Sequence, residues 1–498
     1  MKRPIPLPLN PAAAALAAHT RIVRSPTPGR RGVTDALSRR LVVISNRVAT
    51  PSPKASSGGL AVAVLAALRR SGGIWFGWSG SVREAPASAP SLNQADRLTY
   101  ATVDLARQDY EQYYNGFANR VLWPLFHYRP DLVDFRRQDF TGYRRVNRQF
   151  AASLVPLLKP DDLVWVHDYH LLTLGDELRA LGVTQPIGFF LHTPFPAPEL
   201  FRVLPHHGEL MRAMCAYDLA GFQTKSDMFA FRDYLEREAG ASVSPGGDIA
   251  AFGRSVRAAV FPIGIDFDAI AGQGAQSVGS RHMNRLHVSL RDRNLMIGVD
   301  RLDYSKGLAA RFAAFERLIE MFPETRGRIT FMQIAQSTRS EVPEYLEIRR
   351  SLEAATGHIN GRFAEFDWTP LRYLNKSFTQ RALCGFLRAA HIGLVTPMRD
   401  GMNLVAKEYV AAQDPENPGV LVLSCFAGAA SELKDALLVN PYDTDGMAEA
   451  MHRAHTMPLG ERQERWQAMT AILRRNDIAA WRDNFVRALA EAASIARA

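Results

Sequence analysis

The stretch LMIGVDRLDYSKG at residues 295–307 decides the fold. Its first five residues are continuously apolar, which is typical of a parallel strand covered on both faces. Polar residues follow at once, and a helical pattern then occupies 308–322. HIGLVT (391–396) repeats this order, because a polar turn and a helix at 403–412 come after it. Alternation of this kind predicts a doubly wound α/β domain.

Strand–helix alternation extends outward from this stretch in two series. The first has strands LVVIS (41–45), LVWVH (163–167), IGFFLH (187–192) and DLAGF (218–222), with helices at 59–71, 144–158, 171–181 and 224–238. The second follows VFPIGI (260–265) and adds ITFMQI (329–334), VLVLS (420–424) and ALLVN (436–440), with further helices at 341–356, 380–390 and 445–456. The chain has 498 residues, more than one hydrophobic core usually supports.

We therefore predict two α/β domains, at 40–264 and 265–457, with the polar stretch 266–292 as the linker region. Residues 458–498 are predicted to form C-terminal helices that pack back on the N-terminal domain, with Trp466 and Trp481 as anchors. Residues 1–39 are expected to be a disordered basic leader. A transit peptide is the alternative for this segment, because it is rich in Arg and poor in acids.

The net charge of +10 is concentrated at the start of the chain. Residues 1–40 hold eight basic residues and one acid, which leaves a net charge of only +3 for the rest. A nearly neutral body argues against nucleic-acid binding. Three widely spaced cysteines predict buried thiols in a reducing compartment, and no apolar run is long enough for a membrane span. We expect a cytoplasmic protein without nucleic-acid or membrane partners.

Polar residues follow almost every apolar run. Ligands of open α/β sheets bind beyond the carboxyl ends of the strands, so these residues are the candidate site. They occur in SNR (45–47), HDYH (167–170), HTPFP (192–196), DRLDYSKG (300–307), QSTR (336–339) and TPMRDGMNLVAKE (396–408).

Two of these segments predict a site for a diphosphate and a sugar. Arg301 and Lys306 supply a fork-shaped donor and a point charge, which together match a diphosphate. Asp400 and Gly401 precede a helix whose first N–H groups can hold phosphate or sugar oxygens, and Glu408 can accept hydrogen bonds from two ribose hydroxyls.

The remaining segments suit sugar binding. Asp168 can accept paired hydrogen bonds from sugar hydroxyls, whereas a metal site at His167, His170 and His192 is the weaker alternative because the usual ligand spacing is missing. Tyr114 and Trp123 suit a sugar face, although aromatic residues at this spacing also form cores. Gly58 and Gly59 permit close approach of a phosphate, although most Gly pairs are only loops.

With these residues in view, the chain strongly resembles the retaining glycosyltransferases of family 20, the trehalose-6-phosphate synthases. The resemblance covers about 40 to about 490 and rests on ISNR (44–47), GGIWFGWSG (72–80), YYNGFANRVLWPLFHY (113–128), WVHDYHL (165–171), FFLHTPFP (189–196), GFQT (221–224), PIGI (262–265), DRLDYSKGL (300–308) and TPMRDGMNLVAKEYVAAQ (396–413). It implies the GT-B fold, in which two Rossmann-like doubly wound domains face a central cleft.

The resemblance also implies a role for each site residue. The acceptor glucose 6-phosphate would contact Arg47 and Arg339 through its phosphate and would lie against Tyr114, Trp123 and Asp168, with Trp75 or Trp78 nearby. His192 would sit beside the anomeric carbon of the donor. The donor UDP-glucose would contact Gly58, Gly59, Arg301, Lys306, Phe378, Asp400, Gly401, Met402, Asn403, Leu404, Val405, Ala406, Lys407 and Glu408.

The implied reaction gives α,α-trehalose 6-phosphate and UDP by front-face transfer, with no metal and no cofactor. His192, Arg301, Lys306 and Asp168 are the candidate catalytic residues. A homo-oligomer is expected, and a separate phosphatase would act on the product. A glycerol 3-phosphate acceptor, a catalytically silent sugar-phosphate sensor and a bifunctional enzyme with an attached phosphatase are the alternatives, and the nucleotide preference among UDP, ADP and GDP stays open.

Overall fold

The computed structural model describes residues 36–49, 65, 68, 72–86, 89–336 and 343–495. Within them, two separate sheets organise the chain into an N-terminal and a C-terminal domain. The first sheet contains ten strands in the order β3-β4-β2-β1-β5-β6-β7-β10-β9-β8, and the second contains six in the order β13-β12-β11-β14-β15-β16. The two parallel-sheet domains predicted from the strand–helix alternation are confirmed.

The N-terminal sheet is parallel from β4 through β10 and antiparallel only at its two edges. Its strands are β1 Leu41–Arg47, β2 Gly73–Arg83, β3 Ser91–Ala95, β4 Leu98–Ala106, β5 Leu163–His167, β6 Ile187–Phe190, β7 Leu219–Phe222, β8 Ser242–Val243, β9 Asp248–Ala251 and β10 Arg254–Val260. The central strands β5, β6 and β7 are buried at every position, as parallel strands covered on both faces should be.

The helices of the N-terminal domain include an unusual wide one. Residues Tyr110–Leu122 form a π-helix of 13 residues, which continues into the short α-helix Trp123–Phe126. Extended π-helices are rare, and short ones occur often at functional sites. The ordinary helices here are α1 Arg137–Leu154, α2 Leu174–Ala180, α3 His207–Met214 and α4 Lys225–Ala239.

The C-terminal sheet is parallel throughout. Its strands are β11 Asn294–Arg301, β12 Ile329–Gln336, β13 Leu371–Leu374, β14 Ile392–Val395, β15 Val420–Ser424 and β16 Leu437–Val439. The helices are α5 Phe267–Ser277, α6 Arg281–Leu290, α7 Leu308–Met321, α8 Pro343–Phe363, α9 Gln380–Ala389, α10 Leu404–Ala412, α11 Thr444–Thr456, α12 Leu459–Arg475 and α13 Ile478–Ile495.

Several elements differ from those predicted. Strands β2, β3, β4, β8, β9 and β13 were not predicted, nor was β10, whose last residue, Val260, begins the stretch VFPIGI (260–265) after which the second series was placed. The stretch 266–292, predicted as a linker, forms α5 and α6, which are capped by the side chains of Asp266 and Ser280. The predicted helix at 59–71 lies mostly outside the described residues.

The chain crosses between the domains twice, and the two crossings touch. Residues 261–266 lead from β10 to α5, and residues 476–477 lead back from α12 to α13. The amide of Ile478 donates to the carbonyl of Ile265 at 3.2 Å. A Cβ on Gly264 would lie 2.2 Å from the carbonyl oxygen of Asn476, so only glycine permits this approach.

The two C-terminal helices belong to different domains, whereas we predicted that residues 458–498 pack together on the N-terminal domain. Helix α12 stays with the C-terminal domain, where the indole of Trp466 donates to the carbonyl of Val410 at 2.9 Å. Helix α13 returns to the N-terminal sheet, where Phe485 stacks on Trp165 with ring centroids 4.4 Å apart. The pattern of Trp residues predicted the helices but not the break between them.

In each sheet the direction in which successive strands are added reverses at one strand. In the first sheet β1 lies between β2 and β5, and in the second β11 lies between β12 and β14. Crevices open beyond the carboxyl ends of strands at such switch points, and ligands bind there. Arg47 ends β1 and Arg301 ends β11, so one arginine marks each crevice. Among the described helices, none is both long and apolar enough to cross a membrane.

Candidate active site between the two domains

The end of β1 brings together three of the predicted acceptor-binding residues. The guanidinium carbon of Arg47 lies 5.8 Å from the ring centroid of Trp78 on the neighbouring strand β2. Trp78 in turn lies 5.6 Å from the ring of Tyr114, which stacks on the ring of His170. A cation beside an aromatic wall is suited to a phosphorylated sugar.

Trp75 does not take part in this cluster. Its side chain is 1% exposed, and its indole N–H donates to the hydroxyl of Ser45 at 2.8 Å. Trp75 is therefore a core residue, and of the two tryptophans suggested from the sequence only Trp78 lines the cluster. Side chains alternate between the two faces of a strand, so Trp75 and Trp78 lie on opposite faces of β2. Trp78 is also the last residue of the buried part of β2, toward the carboxyl end of the strand.

The π-helix presents Tyr114 to the cleft, and the short α-helix that follows it presents Trp123. Within it the side chain of Asn119 donates to the carbonyl of Tyr114 at 2.8 Å and accepts from the hydroxyl of Tyr169 at 3.0 Å. Trp123 lies where the two domains meet, because the guanidinium carbon of Arg301 sits 5.3 Å from its ring. The predicted acceptor and donor residues thus meet across the cleft.

Asp168 occupies a strained position just after β5. Its φ is 77° with ψ at 165°, a conformation that side-chain-bearing residues rarely adopt. Its amide donates to the carbonyl of Phe190 at 2.8 Å, and its carboxylate accepts from the amide of His192 at 3.3 Å. Strain held in place by such contacts is typical of functional sites.

His192 follows β6 and lies beside a second histidine. Its Nε2 atom is 3.0 Å from Nδ1 of His167, the last residue of β5. Burial lowers the pKa of His192 to about 3, and burial together with the proximity of His192 holds the pKa of His167 well below its usual range. Both imidazoles are therefore neutral at physiological pH.

On the C-terminal side, Lys306 and Asp400 form an ion pair. The ammonium of Lys306 donates to Oδ2 of Asp400, and both side chains are nearly buried. Burial raises the pKa of Asp400, but Lys306, with His127 and Arg301, outweighs it and holds the pKa below its usual range. We predicted both residues as donor-binding from separate motifs, and the fold joins them directly.

The turn 400–403 is held rigidly before α10 begins. Asn403 has a φ of 75°, its side-chain Nδ2 donates to the carboxylate of Asp400 at 3.0 Å, and its Oδ1 accepts from the backbone amide of Ala406 at 3.3 Å. A Cβ on Gly401 would lie 2.0 Å from the carbonyl oxygen of His192, so the backbones of the two domains meet here. Met402 is buried behind the turn.

The α10 residues face in two directions. Leu404, Val405 and Glu408 remain partly exposed, and burial raises the pKa of Glu408 to about 7. Ala406 is fully buried. Phe378, which is half-buried, packs against Phe386 of α9 with ring centroids 5.2 Å apart and belongs to the same apolar cluster as Leu404 and Val405.

Lys407 is the predicted donor-binding residue that the structure contradicts. Its ammonium is fully buried and donates to Oε2 of Glu432 at 2.6 Å and to the carbonyl of Ile263 at 2.7 Å. The other oxygen of Glu432 accepts from the side chain of Asn476 at 2.8 Å. Lys407 therefore ties α10 to both interdomain crossings and does not reach into the cleft, because α10 turns this side toward the hinge.

Three predicted residues, Gly58, Gly59 and Arg339, lie outside the described residues. Two contacts across the cleft were missed by the sequence reasoning. The guanidinium carbon of Arg399 lies 3.6 Å from the ring centroid of Tyr128, and buried His127 lies in the electrostatic environment of Asp400 and Lys306. Burial lowers the pKa of His127 to about 4. Arg399 directly precedes Asp400 in the sequence, and this position could have identified it as a candidate site residue.

Within the described residues, no three His, Cys, Asp or Glu side chains lie close enough together to hold a metal ion. The cationic side chains at the cleft are Arg47 at one switch point and Arg301 with Lys306 at the other. The arrangement can hold two anionic ligands with their reactive ends facing each other.

The family model described as "Glycosyltransferase family 20" matches residues 36–491. The chain is 51% identical over 451 residues to a trehalose-6-phosphate synthase of Cronobacter sakazakii, and the match covers 90% of this chain and 95% of that protein. A crystal structure of an α,α-trehalose-phosphate synthase (UDP-forming) from Burkholderia vietnamiensis superposes with a TM-score of 0.90 at 54% identity, covering 92% of this chain and 98% of that one.

A second crystal structure, of the corresponding Burkholderia xenovorans enzyme in complex with glucose-6-phosphate, superposes with a TM-score of 0.88 at 53% identity and covers 90% of this chain and 99% of that one. Such similarity along nearly the whole chain confirms the predicted GT-B fold. The chain belongs to glycosyltransferase family 20.

Proposed function

We propose that this protein transfers glucose from UDP-glucose to glucose 6-phosphate, with retention of the donor's α configuration, to give α,α-trehalose 6-phosphate and UDP. One observation carries this proposal. Two cationic switch points face each other across a closed cleft, with Arg47 beside Trp78 on one side and Arg301 with Lys306 on the other. Relatives that are 51% and 54% identical to this chain along almost their whole length bear the name of this activity.

The donor side explains how the diphosphate leaves. Negative charge develops on UDP as the bond from the anomeric carbon to the phosphate oxygen breaks. Arg301, Lys306 and the N-terminal amides of α10 stabilise that charge. Lys306 shifts its hydrogen bond from Asp400 to the diphosphate, and the carboxylate of Asp400 then accepts hydrogen bonds from hydroxyls of the donor glucose.

The acceptor side positions the nucleophile. Arg47, joined by Arg339, binds the phosphate of glucose 6-phosphate, while Trp78 and Tyr114 pack against the sugar. Asp168 accepts hydrogen bonds from acceptor hydroxyls, and its strained backbone fixes where the carboxylate points. Holding both reactants in one geometry supplies a large part of the rate enhancement.

Transfer takes place on the front face of the donor sugar. The acceptor's anomeric hydroxyl forms the new bond to the donor carbon, the phosphate bond breaks, and the hydroxyl proton passes to the leaving phosphate oxygen. Contact between the domains, as at Gly401 and His192, excludes water that would otherwise hydrolyse the donor. Mass spectrometry of the enzyme after turnover should find no glycosyl adduct, and an adduct on Asp168 or Asp400 would overturn this mechanism.

We extend the proposal to cofactors and surroundings. Side-chain cations take the place of a divalent metal at the diphosphate, so activity should survive dialysis against EDTA. Three free cysteines fit the reducing cytoplasm.

A homo-oligomer, either dimer or tetramer, is proposed, and its size can be measured by light scattering. Because the product is a phosphate monoester, a separate phosphatase would release the free disaccharide.

A panel of substrates tests the function. Purified protein is incubated with UDP-, ADP- or GDP-glucose and with either glucose 6-phosphate or glycerol 3-phosphate, and nucleotide release is measured for each pair. UDP-glucose with glucose 6-phosphate should give the highest kcat/KM. Faster release with glycerol 3-phosphate would overturn the acceptor assignment, and absence of release with every pair would overturn the function itself.

A further inference from the structure

The strand ends at the centre of the N-terminal sheet carry two histidines in contact. His167 closes β5 and is 0% exposed, whereas His192 follows the neighbouring strand β6 and stays partly exposed. Nδ1 of His167 and Nε2 of His192 are at hydrogen-bond distance, 3.0 Å apart, with the rings nearly parallel. One of these nitrogens must carry the proton, and the other must accept it.

Aromatic rings enclose this pair. Trp165 lies 4.6 Å from the ring of His167, and Phe190 lies 4.7 Å from that of His192. Trp481, from the returning helix α13, covers both imidazoles at 6.1 and 6.2 Å. In these apolar surroundings a charged imidazole is costly, which agrees with the direction of both pKa values and leaves a neutral pair sharing a single hydrogen bond.

The second ring nitrogen of His167, Nε2, determines which nitrogens of the two imidazoles carry a proton. This atom is buried and has no hydrogen-bond partner among the described residues. A proton on that atom would be a buried donor without an acceptor, which is rarer in proteins than an unsatisfied acceptor. His167 therefore keeps its proton on Nδ1 and donates it to Nε2 of His192, whose own proton must then be on Nδ1.

We propose that His167 is a positioning residue that fixes His192 as its Nδ1–H tautomer, so that His192 offers a hydrogen-bond donor to an oxygen of the transferred sugar. The inference rests on the proposed function for the identity of the ligand. Nε2 of His192 is occupied by His167, so Nδ1 is the ring nitrogen left for a ligand in the cleft. The backbone on this side is fixed too, because the His192 amide donates to Asp168 and its carbonyl meets Gly401.

The tautomer itself can be measured by ¹⁵N NMR of histidine-labelled protein, with His192 assigned by the signals that His192→Asn removes. The expected spectrum shows a protonated Nδ1 and an unprotonated Nε2 for His192. The opposite pattern would overturn the proposal. This experiment requires no activity and no His167 variant, so its outcome is separate from that of the substrate panel.

Two substitutions test the consequence for catalysis. His167→Asn places an amide N–H near the position of the lost Nδ1–H, so it should keep the His192 tautomer and much of the activity. His167→Leu removes the donor, so it should give mixed tautomers and lower kcat by about 10- to 100-fold, the loss typical of a misplaced reacting group. The KM for glucose 6-phosphate should change little in either variant.

His391→Leu is the matched control. His391 is a partly buried histidine whose Nε2 is likewise buried and without a hydrogen-bond partner among the described residues, but it lies in the C-terminal domain away from the cleft. It should reproduce any general loss of stability without the change in kcat or in the His192 signals. Equal kcat in wild type and His167→Leu, or equal losses in the Asn and Leu variants with unchanged tautomer, would overturn the positioning role.

Discussion

The ammonium of Lys306 donates a hydrogen bond to the carboxylate of Asp400, which links the turn after β11 to the turn before α10. Each residue comes from a different predicted motif, and each was assigned a different part of the donor. Without a ligand the two charges satisfy each other, so neither is left uncompensated in a nearly dry cleft.

Loss of the cations should impair turnover more than folding. Lys306→Ala and Arg301→Ala should each raise the barrier by about 2–4 kcal/mol, which is roughly 30- to 1,000-fold in kcat, because the leaving diphosphate loses a stabilising charge. Steady-state kinetics with UDP-glucose measure this. Lys434→Ala, at an exposed lysine of the same domain, is the control. An unchanged kcat in either cleft variant would contradict the assignment.

Binding of the acceptor phosphate should depend on Arg47, the arginine at the switch point of the N-terminal sheet. Arg47→Ala should raise the KM for glucose 6-phosphate and leave the KM for UDP-glucose nearly unchanged, because Arg47 lies on the Trp78 side of the cleft. The family resemblance also assigns Arg339 to the acceptor phosphate, so Arg339→Ala should change the two KM values in the same way. Isothermal calorimetry with glucose 6-phosphate provides the direct measurement, and equal losses for both substrates would refute an acceptor-phosphate role.

Donor binding should depend on pH through Glu408. Its pKa is raised to about 7, so the side chain is mostly neutral at pH 6 and mostly ionised at pH 8. If the carboxylate accepts hydrogen bonds from ribose hydroxyls, the Kd for UDP-glucose should rise as pH falls through 7. Glu408→Gln should bind more weakly at pH 8 and should lose this dependence. A wild-type Kd that is flat between pH 6 and 8 would argue against the ribose role.

Arg399 and Tyr128 should hold the domains closed. Their contact joins the two sides of the cleft, and a partly buried cation–π pair contributes about 1–2 kcal/mol. Arg399→Ala should therefore lower kcat and increase the fraction of UDP-glucose lost to hydrolysis. Arg362→Ala removes a cation–π contact with Phe363 of the same helix, together with ion pairs to Glu316 and Glu320 of α7, and should leave both quantities unchanged. Product analysis of glucose against disaccharide phosphate distinguishes the outcomes.

Lys407 should matter for stability. Lys407→Met leaves Glu432 buried without its partner, which should cost about 3–5 kcal/mol of unfolding free energy. The double variant Lys407→Met, Glu432→Leu removes both charges and should recover part of that loss. Chemical denaturation measures both variants. Full stability in the single variant would show that the pair does not bind the crossings together.

The site residues that the sequence predicted best are those at the ends of continuously apolar strands. Arg301 and Asp168 follow such runs, and a parallel strand delivers its next residues to the crevice whatever the details of packing. Strand β2 was missed because glycines and polar residues interrupt GIWFGWSGSVR and weaken the apolar run. The linker prediction at 266–292 failed because short amphipathic helices with few apolar positions look polar overall.

The side of a helix that meets the ligand was harder to predict. Lys407 and Glu408 are neighbours in α10, and only the packing of that helix against residues 263 and 476 buries Lys407 at the hinge and leaves Glu408 partly exposed. The contact between His167 and His192 depends likewise on strand register, since β5 and β6 must align before the two loops meet. Such three-dimensional relations leave no periodicity in the chain.

The return of α13 to the N-terminal sheet has a consequence for biosynthesis. Phe485 and Trp481 cover Trp165 and the ends of β5 and β6, so the N-terminal sheet is completed by a helix that follows the whole C-terminal domain in the chain. During translation the C-terminal domain has all its strands before the acceptor side is closed over. The N-terminal sheet should therefore reach its final packing only after the C-terminal domain has been synthesised.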